Sequence, residues 1–154
     1  MSRRLFKTQD QIDDENELAR RMGIKRGVAF LRQPDRYFVD FVGFRGGKPV
    51  AVMEAKRRVG VLRHPNYMVS YLKTMRGIEL SQALGVPFIY LIDAGDELGE
   101  TTLWCQVTPD TVSSVGWFGP EPPRDGEDHE LAAIIDWEAF GRIELPAARE
   151  TETA

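Results

Sequence analysis

Two β-rich runs, YFVDFVGF at 37–44 and VAVMEAK at 50–56, flank the stretch Arg45-Gly46-Gly47-Lys48-Pro49, and this pairing constrains the chain more than any other feature. Runs rich in Val, Phe and Tyr joined by a Gly-Gly turn predict a β-hairpin, since glycine supplies the positive φ that a tight reversal needs. Side chains alternate along a strand. Phe38, Asp40, Val42 and Phe44 therefore share one face of the first run, and Val50, Val52, Glu54 and Lys56 share one face of the second. Each strand carries a carboxylate among apolar neighbours. An unpaired carboxylate there is costly, so something must compensate it. Lys56 points the same way as Glu54 and offers one partner. Taken alone, the pattern is more often that of a buried Glu–Lys pair beside a hydrogen-bonded Asp.

The flanking sequence supplies a third acid. Thr8 and Gln11 fit a capping box, and Ile12, Leu18, Ala19 and Met22 recur at helical spacing, so an amphipathic helix is expected over 9–22 with Gly23 as its stop. Glu15 falls in the apolar stripe of that helix, whereas Glu17 projects away from it. Residues 27–32 read as a short strand and Gln33-Pro34-Asp35 as a turn. Met68, Tyr71, Leu72, Met75 and Ile78 predict a helix over 67–84, bent or broken at Gly77 and ended by Gly85; VPFIYLI (86–92) and TTLWCQV (101–107) read as strands.

The expected division is a core over 1–118, a flexible acidic linker at 119–128, and a C-terminal helix (129–140) with a disordered tail to 154. The order of elements predicts a single α/β domain with a mixed central β-sheet flanked by helices.

Charge is distributed unevenly. Residues 1–76 hold 17 Lys+Arg against 8 Asp+Glu, while residues 77–154 hold 3 against 16, although the whole chain carries only -4. Such asymmetry suggests a basic working surface, or merely an uneven solvated one. Candidate phosphate contacts are Arg32, Arg57, Arg58, Arg63, Lys73 and Arg76, and a partner of that kind is DNA. The single Cys105, with only His64 and His129, excludes a disulfide and a zinc site built on those residue types. No apolar run approaches the roughly 20 residues that cross a bilayer, so no membrane partner is expected. The opening MSRRLFKTQD lacks an apolar signal stretch, and the expected location is the cytoplasm.

Glu15, Asp40 and Glu54 meeting at one point would crowd three negative charges around one lysine. A divalent cation relieves this, and oxygen-only ligands favour Mg²⁺, with Mn²⁺ as substitute. Metal-assisted phosphodiester hydrolysis uses such a site, with Lys56 orienting the attacking water or neutralising the transition state.

These residues resemble the PD-(D/E)XK nuclease superfamily and, more narrowly, the Holliday-junction resolvases. Glu-Asn-Glu-Leu-Ala at 15–19 is similar to the E-x-E-L of the archaeal resolvases, whose first Glu is catalytic. VDFVGFRGGKPVAVMEAK at 39–56 is similar to the RecU-type block in which a V-D-x-x-G strand leads through a turn to an E-A-K strand. The resemblance implies a restriction-endonuclease-like fold and a metal held by Asp40, Glu54 and the Ala55 carbonyl. It further implies that Lys56 assists the nucleophile, that Glu15 completes the site as catalytic group and metal ligand, and that a homodimer acts on branched DNA. The rival for Asp40 is Asp35, in the literal Pro-Asp pair, but Asp35 sits in a turn. Where the resolvases carry a serine before the Asp strand, this chain reads Gln33-Pro34-Asp35-Arg36, and Gln82 is only a partial substitute for their His-Gln helix pattern. Two alternatives remain open: a nuclease of this fold acting on duplex ends, flaps or specific sites, and a non-catalytic DNA-binding module.

Overall fold

A computed structural model describes residues 8–34, 37–95, 101–118 and 130–147. The expected linker at 119–128, His129, Asp35 and the tail beyond Ala147 lie outside the described residues.

The hairpin forms as the sequence predicts. Strand β2 (Phe41–Arg45) runs antiparallel to β3 (Lys48–Arg57), with Val42 opposite Val52 and Phe41 opposite Met53. Gly46 and Gly47 take φ of 58° and 77° in the turn, a region closed to most other residues. The first strand is shorter than expected: Asp40 lies just before β2, and its carbonyl accepts from the Gln33 amide at 2.8 Å.

Around this hairpin a six-stranded mixed sheet is ordered β1-β2-β3-β5-β6-β9, with β1 at Ala29–Arg32, β5 at Phe88–Asp93, β6 at Thr102–Gln106 and β9 at Gly141–Arg142. Only β3 and β5 are parallel among its pairings. A parallel pair needs a long crossover, and helix α2 (Tyr71–Leu84) lies within it.

Helix α1 (Gln9–Arg26) packs Leu18, Ala19 and Met22 onto Phe41, Met53, Ala55 and Leu91 on one face of the sheet. The other core, which includes Ile78 of α2, gathers Val42, Val52, Phe88, Tyr90 and Ile92. The mixed sheet flanked by helices is the expected α/β fold.

The predicted capping box is present: the Thr8 side chain accepts from the Gln11 amide, and Gln11 accepts from the Thr8 amide. Gly23 does not stop α1, however; the helix runs on to Gly27, whose φ is 66°. Gly23 instead lets β1 approach, since a Cβ there would stand 2.4 Å from the Val28 carbonyl oxygen. Gly77 does not interrupt α2. It lies against Phe88, where an added Cβ would fall 2.2 Å from the ring.

Two expected helical stretches are strands. Residues Tyr67–Ser70 form β4, and α2 starts only at Tyr71, capped by the Ser70 hydroxyl accepting from the Lys73 amide. The helix expected at 129–140 is corrected to strand β8 (Glu130–Ile135) followed by a short 3-10 turn at Trp137–Ala139. Strand β8 is the middle of a second sheet, β4-β8-β7, with β7 at Ser114–Phe118. A central strand with Ala132, Ala133 and Ile135 all fully buried reads as a continuous apolar run, which periodicity does not distinguish from a buried helix. The aromatics that follow close over Tyr67: Trp137 and Phe140 stand 5.7 Å from its ring, and Trp137 donates to the His64 carbonyl at 2.8 Å.

Candidate active site

The end of β3 brings the predicted acids together. Glu54 and Asp40 sit across the hairpin, and the Asp40 amide donates to Glu54 Oε1 at 3.1 Å. Both are buried, at 2% and 7% exposure. Glu15 enters from α1, on the other side of the sheet, and is also buried. Lys56 joins the two sides at the strand end: its Nζ lies 3.3 Å from Glu15 Oε1 and 3.3 Å from Asp40 Oδ2. Alternation alone puts Lys56 on the Glu54 face, and its long stem carries the ammonium round to the helix acid.

Further cations complete the cluster. Lys73, on the first turn of α2, lies 3.3 Å from Asp40 Oδ1 and 3.1 Å from Glu54 Oε2. The sequence offers it as a phosphate contact; that α2 leans over β3 is a tertiary fact with no local signature. Arg32 stands 3.7 Å from Glu15 Oε1, donates to Asn16 Oδ1 at 2.6 Å and lies 4.7 Å over the Phe41 ring. The expected excess of negative charge around one lysine is therefore corrected: among the described residues Lys73 and Arg32 join Lys56 at the three carboxylates.

Glu54 is nevertheless poorly suited to carry charge. Burial first, then a hydrogen bond with the Asp40 side chain and the Asp40 charge, push its carboxyl up to about 8, with Lys73 and Lys56 opposing. Its Oε2 is buried and accepts no hydrogen bond, the Lys73 contact being an ion pair only. The walls explain the dryness. Tyr90 lies opposite Glu54 on β5, its hydroxyl 2.5 Å from Thr74 Oγ1, and burial pushes Tyr67 up to about 12.

An ion with oxygen preference fits the Asp40–Glu54 pair, because an orphaned carboxylate oxygen in a low-dielectric wall gains most from a divalent cation. Among the described residues no three acidic, His or Cys side chains group closely enough to hold a metal. Glu15 is linked to the pair through Lys56.

The remaining basic candidates disperse around this centre. Arg57 is exposed and paired with Asp14 at 3.5 Å and Asp93 at 3.9 Å. Arg58, Arg63 and Arg76 are exposed. A cleft of about 290 Å³ adjoins the site, lined by Gln11, Asp14, Glu15, Lys56, Arg57, Arg58 and Val59.

A mixed sheet with a buried Asp at the entry to one strand, a buried Glu on its neighbour and a lysine two residues beyond the Glu is the pattern of a nuclease of the PD-(D/E)XK type. The chain belongs to the family described as "Phage putative PDDEXK endonuclease", whose model matches residues 1–143. Among solved structures it is similar to Hjc of Archaeoglobus fulgidus, a Holliday junction resolvase from an archaeal hyperthermophile, at 14% identity and a TM-score of 0.45, over 86% of this chain and 98% of that one. No protein of curated function matches the sequence. Among the described residues no helix is long and apolar enough to cross a membrane.

Proposed function

We propose that this nuclease is a metal-dependent DNA endonuclease selective for branched DNA, a Holliday-junction resolvase in type, with Glu15, Asp40, Glu54 and Lys56 as its catalytic groups. The observation that carries the reading is the Lys56 ammonium, 3.3 Å from both Glu15 and Asp40, with Asp40 bonded in turn to Glu54. Such a chain of contacts ties four reactive groups to one another, which suits a reaction that depends on positioning. The sequence blocks at 15–19 and 39–56 point to the resolvase type.

Asp40, Glu54 and the Ala55 carbonyl would hold the divalent ion, Mg²⁺ or Mn²⁺ as substitute. When bound, that ion supplies Lewis-acid polarisation of the phosphoryl group and a more acidic water. Lys56 lies between the two acids, and its ammonium is placed to orient the attacking water or meet charge developing on phosphate oxygens. Glu15 holds Lys56 from the far side. Arg57 and Arg58, on the cleft wall, with Arg32, Arg63 and Arg76, supply contacts to backbone phosphates. A homodimer would present two such sites to the two symmetric strands of a junction, in the cytoplasm of a bacterium or infected host.

The test is cleavage in Mg²⁺ of an immobile four-way junction beside linear duplexes of the same arm sequences. The expected result is junction cutting alone, lost on chelation. Equal cutting of both substrates would replace junction selectivity with a duplex nuclease, and junction binding without cleavage under any divalent ion would leave a non-catalytic module.

A further inference from the structure

We propose that Lys73 is a tethered counter-ion that occupies the Asp40–Glu54 pair until a divalent metal ion displaces it. The inference rests on the reading of that pair as a metal site. Two lysines flank Asp40 and are held differently. Lys56 reaches one oxygen of Asp40 and one of Glu15, and its side chain is 15% exposed. Lys73 reaches the other oxygen of Asp40 and Glu54 Oε2, so it touches both acids of the pair, and its side chain is 34% exposed.

The contact with Glu54 Oε2 lacks hydrogen-bond geometry, so it is electrostatic and weakly directional. The backbone beneath Lys73 is fixed. Its amide donates to Ser70 Oγ, and the next residue, Thr74, is fully buried with its hydroxyl donating to the Ser70 carbonyl at 2.8 Å. The side chain above it is held only at its tip, by a hydrogen bond to Asp40 Oδ1 at 3.3 Å and the ion pair with Glu54, and a third of it faces solvent.

A buried carboxylate pair needs a cation whether or not metal is present. Lys73 meets that need in the empty state, and a divalent ion competes for the same oxygens with twice the charge. The displaced ammonium stays within a side chain's length of the site, where it is available to a phosphate. Lys73 would therefore lower metal affinity while adding to the charge compensation of the pair in the metal-free protein.

Mn²⁺ titrated into the full chain without DNA, followed by calorimetry or by the spin resonance of free Mn²⁺, tests this independently of cleavage. Lys73→Gln should bind Mn²⁺ more tightly than the unaltered chain, by on the order of ten-fold, and Lys73→Arg should restore the weaker binding. Equal or weaker binding by Lys73→Gln, with binding still abolished by Asp40→Asn, overturns the counter-ion and leaves the metal site standing. No binding by either form removes the metal site and this inference with it. Reductive methylation read by mass spectrometry gives a second measure: Lys73 should be labelled several-fold faster in saturating Mg²⁺ than in its absence, and an unchanged rate overturns the displacement.

Discussion

The two faces of β3 contrast within a single strand. Toward α1 it presents Met53 and Ala55, both 0% exposed, sealed against Leu18, Ala19 and Met22. Toward α2 it presents Val52 and then Glu54, with Tyr90 and Thr74 beside it and Lys73 reaching in. Behind Met53 and Ala55 the contact is apolar packing, whereas around Glu54 an apolar core also has to hold a balance of charges drawn from several elements. A dry face behind a charged one gives the acids a floor that does not yield, so residues one position apart should answer to different measurements.

The contrast is sharpest in cleavage. Glu54→Ala and Lys56→Ala should each lower junction cleavage by on the order of 10³-fold or more, with circular dichroism and DNA binding largely retained. Cleavage within ten-fold of the original would remove them from the catalytic set. On the other face, Met53→Ala should cost about 2–5 kcal/mol in denaturant unfolding, and a loss below about 1 kcal/mol would show that this face is not the rigid one.

Next comes pH. Glu54, raised to about 8 from an ordinary 4.5, keeps a proton in the folded chain that the unfolded chain has released, so between those values the folded state binds more protons and stability falls as pH rises. The metal-free protein should therefore melt lower at pH 8 than at pH 5, and Glu54→Gln should remove part of that slope; an identical slope in the variant would mean Glu54 ionises normally. The smallest effects belong to the exposed rim. Arg63→Gln and Arg76→Gln should weaken DNA binding modestly, each reducing the salt-dependence slope by about one, and an unchanged slope would take that residue out of the interface.

Legibility followed the range of the interactions. Asp40, Glu54 and Lys56 were readable because a two-residue period and a glycine turn fix them within one hairpin. Glu15 was readable from the helical stripe. Lys73 and Arg32 were seen as basic residues but not as partners of the acids, because their contacts depend on how α2 and β1 lie over the sheet. Leu131 to Ile135 misled because a strand buried on both faces loses its alternation. Tyr67–Ser70 misled because helical spacing of apolar residues continued across a strand that ends at the Ser70 cap.

Gly77 lies one helical turn beyond Lys73, on the same side of α2, and its missing methyl lets the helix axis settle onto the Phe88 ring. The height of α2 above the sheet is thus gauged at a position remote from any reacting group. That gauge also decides whether an ammonium projecting one turn earlier arrives within 3.1 Å of Glu54 or falls short of it. A hydrogen atom in the packing of a helix therefore acts as the ruler by which the charge balance around Asp40 and Glu54 is drawn.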